Sequence, residues 1–108
     1  MNVEIVEEAF VLAKAHPELH DQSDYAQETP CGTAMCIAGW ICVADGWKVD
    51  ANANAHKKGH RITFVGDLAE RLAGLDEDQG DELFVDSAQD DMAQLEERWA
   101  RMKEEAAA

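Results

Sequence analysis

Basic residues are scarce in this chain: nine lysines and arginines stand against 23 aspartates and glutamates in 108 residues, a formal net charge of −14. Self-repulsion of that size favours solubility and opposes contact with nucleic-acid phosphates, which attract Lys and Arg, so direct DNA or RNA binding is not expected. Long apolar runs are also missing. The longest, Ala34 to Ala44, falls well short of the roughly 20 residues that a membrane span requires. The start, Met1-Asn2-Val3-Glu4, lacks the basic region and apolar stretch of a secretory signal. These absences predict a cytoplasmic protein with no membrane contact. Three cysteines cannot all pair within one chain, and a reducing compartment keeps thiols free. Cys31, Cys36 and Cys42 are therefore read as free thiols or ligands, not as a disulfide framework. Aromatics are sparse, but a hydrophobic content of 46% is ordinary for a globular domain and argues against a disordered chain. A chain of this length buries roughly two-thirds of its unfolded surface around one core, so a single acidic domain over residues 1–108 is expected.

The charge is unevenly spread. Residues 1–30 hold seven acids against Lys14 alone, residues 31–75 four acids against five bases, and residues 76–108 twelve acids against three bases. Both ends are acidic and the middle is nearly neutral. A run of this kind reads first as a solvated face, and otherwise as a surface for a basic partner or an imitation of DNA.

Hydrophobic spacing organises the chain into about five helices. Val3, Val6, Phe10 and Ala13 form one stripe of a helix that Asn2 caps and Pro17 ends near His16. Residues 17–28 are polar and read as a loop. Thr29-Pro30 reads as a helix opening, and the helix should run over about 30–45, with Gly46 closing it. Its stretch from Ala34 to Ala44 carries no charge, so it should be the buried central helix of a mainly α fold. Gly39 costs about 1 kcal/mol of helix stability relative to alanine, which suggests that another helix packs on the backbone there. Trp47-Lys48-Val49 and Arg61-Ile62-Thr63-Phe64-Val65 are β-prone pieces around a polar loop, so a short β-hairpin within residues 47–65 is the alternative to a plain loop. Asp67 reads as the cap of a helix that Gly74 terminates, and Asp76 opens another near residues 76–85. The last helix, about 87–105, starts at Ser87. It sets Met92, Leu95, Trp99 and Met102 on a single seam, which either docks on the first helix or forms a homodimer. The terminal Ala106-Ala107-Ala108 is expected to fray.

No reaction motif emerges: there is no phosphate-cradling glycine loop, Ser-His-Asp signature or dinucleotide fingerprint. The acidic run from Asp76 fails as an EF-hand, because Gly80 falls at the fifth position and Ser87 at the twelfth, where a glutamate belongs. Cys31 at a helix start is a candidate thiolate, since the helix dipole lowers a thiol pKa. Cys36 and Cys42 read as core packing. Zinc is the sharper chemical alternative: Cys31, Cys36, His16 and His20 would make a tetrahedral set, although Pro17 interrupts the histidine pair and a Cys-x4-Cys pair on one helix points its sulfurs apart. Trp40, Trp47 and Trp99 are candidate interface anchors.

One segment carries a resemblance. Cys31-Gly32-Thr33, then Cys36, then Ala38-Gly39-Trp40, is similar to the signature of a family of small uncharacterised proteins from actinobacteria and their bacteriophages; Leu72 with Gly74-Leu75, followed by Leu83-Phe84, fits a second element of that pattern. The resemblance covers about residues 25–85. It implies a phage or actinobacterial origin, and it implies no catalytic residue. The reading that results is a small non-catalytic cytoplasmic protein, phage-encoded, that needs no cofactor and acts by binding a host or phage protein. A zinc-binding or cysteine-dependent protein and an acidic DNA mimic are the alternatives.

Overall fold

A computed structural model describes residues 1–107. The chain begins with helix α1 (Val3–Ala15), followed by a single 3-10 turn at Pro17–Leu19. Asn2 Oδ1 accepts the Ile5 amide at 3.3 Å, supplying the cap expected of it. Pro17 then prevents the helix from continuing.

The expected helix over 30–45 is a correction. Its first third forms a hairpin instead, in which β1 (Gln27–Thr29) pairs antiparallel with β2 (Gly32–Ala34), and only Ile37–Ala44 is helical, as α2. The physical reason lies at Gly32, whose φ of +127° no α-helix admits. Thr29 does use its hydroxyl on the backbone, accepting from the Cys31 amide at 3.2 Å and donating to the Gly32 carbonyl at 2.7 Å, but the result is a closed turn.

Helix α2 is buried from Ile37 through Cys42 and packs chiefly on α1 and on α3 (Val65–Ala73). It is the centre of the core, as its lack of charge predicted. Its start is held from outside, because the Gln22 side chain accepts the Ile37 amide at 3.0 Å while donating to Ser87 Oγ at 2.8 Å and to the Leu83 carbonyl at 3.3 Å. Gln22 is only 6% exposed, and these bonds satisfy both ends of its amide.

Residues 47–65 fold as a three-stranded meander, with β3 (Lys48–Val49), β4 (Asn54–His56) and β5 (Thr63–Phe64) in that order. The two β-prone pieces are both strands, but they do not pair with each other: each pairs with β4, which lies in the stretch that reads as polar loop. Gly74, at φ 64° and ψ 38°, ends α3 in the left-handed conformation expected of it. Asp67 lies in the first turn of α3, and Phe64 occupies the cap position. Helix α4 (Glu77–Phe84) opens with a capping box in which the Asp76 side chain accepts the Gln79 amide and the Gln79 side chain accepts the Asp76 amide.

The last helix, α5 (Met92–Ala107), begins five residues later than expected. Ser87 is fully buried and spends its hydroxyl on the Leu83 carbonyl, while Asp91 and Gln94 form the reciprocal cap. Ala106 and Ala107 remain helical, and Ala108 lies outside the described residues. Among the described residues, five helices therefore combine with two small antiparallel sheets, a less purely helical fold than the sequence suggests, around one contiguous core.

Candidate functional site

Between α3 and α4 lies an open cleft of about 390 Å³ lined by Tyr25, Phe64, Gly66, Asp67, Glu70, Glu77 and Asp81. Its apolar wall comes from the end of a strand and from a loop. Phe64 is the last residue of β5, still in extended conformation (φ −60°, ψ 134°), and so carries its ring to the edge of α3. Tyr25 packs edge-on against it, with ring centroids 5.1 Å apart and planes at 67°. Gly66 makes the arrangement possible: a Cβ there would lie 2.7 Å from Phe64 Cε2 and 3.2 Å from the Tyr25 ring. Phe64 stays 40% exposed.

The remaining wall is acidic. Asp67 and Glu70 are three apart on α3, and Glu77 and Asp81 four apart on α4, so each helix turns a pair of carboxylates to one side. Gly80 leaves room for the Glu70 side chain to lie against α4, because a Cβ on it would stand 2.6 Å from the Glu70 carboxyl carbon. Among the described residues, no lysine, arginine or histidine forms an ion pair with any of the four. Burial pushes the Glu70 carboxyl above its usual range, and the neighbouring charges of Asp67, Asp81, Glu77 and Asp76 push it the same way. The Tyr25 hydroxyl is pushed up to about 12, by burial first, then by Cys36, Asp81, Glu70 and Asp67, and stays neutral.

This strain has a measurable sign. A carboxyl whose folded pKa lies above its unfolded value stabilises the fold below the unfolded pKa, and that contribution is lost as pH rises through the folded one. Ionised Glu70 therefore costs stability at neutral pH. Glu70→Gln, which keeps shape and removes charge, is expected to raise the melting temperature at about pH 7, with the gain shrinking as pH falls through the raised folded value toward the ordinary glutamate value of about 4.3. A variant that melted lower than wild type at pH 7 would contradict the electrostatic account.

The residues singled out from sequence lie elsewhere. Cys31 sits on the exposed tip of the β1–β2 hairpin, six residues before α2 begins, and so does not open a helix. Gly32 and Thr33 are strand residues of that hairpin. Cys36 and Cys42 are buried, and burial pushes their thiols up to about 11 and about 12, leaving neither as a thiolate at neutral pH. Cys42 Sγ donates to the Val65 carbonyl at 3.7 Å. The zinc set does not assemble, because no three His, Cys, Asp or Glu among the described residues are grouped to hold a metal ion. His16 instead stacks flat on Trp40 at 5.8 Å, and His20 is tied by a backbone bridge to Met35, with burial lowering its pKa. Gly39 is also a correction: the atoms its missing Cβ would strike, at 2.6 Å, belong to Met35, just ahead of α2 in the chain, and not to another helix. Trp40 is 4% exposed, as a core residue would be.

Met92, Leu95, Trp99 and Met102 do not form a free interface. Leu95, Trp99 and Met102 are buried in the chain's own core and Met92 packs at its margin. The seam is pinned to α1 by Lys103–Glu7 at 3.0 Å and Lys14–Glu96 at 3.3 Å, and Trp99 Nε1 donates to Glu7 at 3.4 Å. A dimer built on this seam would first have to undock it.

Two signals for the cleft are present in the sequence: Gly66 and Gly80 are isolated glycines inside helices, where close approach by a neighbour is the usual reason. No family model, curated protein or solved structure matches the chain.

Proposed function

We propose that the protein is a non-catalytic binding protein, phage-encoded and cytoplasmic, that acts by engaging a basic host or phage protein. The observation that carries this reading is the cleft between α3 and α4, where four carboxylates, none in an ion pair among the described residues, flank a half-exposed aromatic pair. Uncompensated charge destabilises a fold, and a complementary partner relieves it on binding. The acidic ends of the chain extend the same field and favour rapid encounter with a positive surface. The resemblance through Cys31, Gly32, Thr33, Cys36, Gly39 and Trp40 supports the phage origin, and these residues form the hairpin and core helix that support the fold. Neither buried thiol is set up for cysteine chemistry.

The test is capture from an actinobacterial lysate on the immobilised protein, at low salt and then at about 0.5 M salt, where screening shortens electrostatic reach to a few ångströms. One saturable basic protein, released by salt, is the expected result. Retention of no protein, or of an acidic one held irrespective of salt, would overturn the reading.

A further inference from the structure

We propose that the cleft between α3 and α4 is a socket for one arginine side chain of the basic partner, an inference that rests on the protein-binding reading above. Three observations define the occupant. The carboxylates of Asp67, Glu70, Glu77 and Asp81 line the cleft from two helices, so a cation with donors pointing in more than one direction complements them better than a point charge. The cleft is also lined by the Phe64 ring, packed edge-to-face with Tyr25 and 40% exposed, and an aromatic ring beside carboxylates attracts a planar cation. Gly66 and Gly80 remove the two side-chain carbons that would otherwise displace Phe64 and Glu70 from the cleft.

A guanidinium meets these conditions better than an ammonium. It is planar and weakly hydrated, stacks on aromatic rings, and presents donors in a fixed fork that can serve carboxylates on both helices at once. A lysine ammonium is compact and strongly hydrated, and it stacks poorly. The cleft therefore discriminates by shape as well as by charge.

The experiment titrates the full isotopically labelled chain with three capped tripeptides, Gly-Arg-Gly, Gly-Lys-Gly and Gly-citrulline-Gly, and follows backbone amide shifts. The arginine peptide is expected to move Tyr25 and residues 64–70 and 77–81 saturably, to bind about ten-fold more tightly than the lysine peptide, and to outcompete the neutral citrulline isostere by more. The double variant Glu70→Gln with Asp81→Asn is expected to lose at least ten-fold in arginine affinity while melting no lower than wild type, which separates lost binding from lost folding. Equal affinity for arginine and citrulline, or shifts spread over the acidic surfaces of α1 and α5, would overturn the socket. A captured lysate partner that bound the double variant at full strength would overturn the socket and leave the protein-binding reading standing. Failure to capture any partner would count against that reading itself.

Discussion

Trp99→Glu is expected to unfold the protein at far lower urea than wild type while leaving its sedimentation unchanged at low denaturant. Trp99 is 3% exposed, its ring packs in the core, and its Nε1 reaches Glu7. Removing a buried tryptophan costs about 3–5 kcal/mol through lost burial and the cavity left behind. Glutamate adds a second penalty, since the new carboxylate enters the core edge beside Glu7, whose own pKa is held low chiefly by its bond to Lys103. Small domains are stable by only about 5–15 kcal/mol, so much of the total is lost. The opposite result, a wild type that sediments as a dimer and a variant that is a well-folded monomer with the same urea midpoint, would mean that the seam of α5 pairs between chains.

Gly39→Leu is the second large effect, and here two terms compete. A helical glycine replaced by a good helix former gains about 1 kcal/mol of intrinsic propensity. Against it stands overpacking, which costs about 1–3 kcal/mol or more when neighbours cannot move. At Gly39 the neighbours are Met35 Cβ, Cγ and Sδ, each 2.6 Å from where a Cβ would sit. The sulfur could swing aside, but Met35 Cβ is fixed to a backbone that accepts from the Asp21 amide at 2.8 Å and donates to the Leu19 carbonyl at 2.9 Å. The clash therefore wins. Thermal melting of Gly39→Ala and Gly39→Leu should show a graded loss, larger for leucine; a Gly39→Ala variant more stable than wild type would show that propensity dominates.

Legibility in the sequence tracked how local each determinant was. The Asn2 cap, the Pro17 stop, the Gly74 terminus and the Asp76 opening act within a few residues, and they were readable. Thr29-Pro30 misled because a hydroxyl followed by proline serves a turn as well as a helix start. Pairing of Thr29 with Gly32 and Gln27 with Ala34 decided between them. Strand β4 had no propensity to announce it, since Asn54-Ala55-His56 becomes a strand by pairing on both sides while burying Ala55. The cleft was the least visible feature. Its acids read as solvated charge until the packing of α3 on α4 set the pairs from the two helices together, and Tyr25 comes from a loop some forty residues before Phe64.

That loop is held more firmly than loops usually are. Three residues before Tyr25, Gln22 joins the first amide of α2 to the last turn of α4, so the aromatic wall and the acidic helix share one anchor. A loop free to wander would have to surrender that freedom each time a partner arrived, and affinity would fall by the entropy of ordering it. Here the ordering has already taken place during folding. In the proposed binding, the cleft would meet a cation with its Tyr25 wall already in place, and selectivity would rest on fit more than on accommodation.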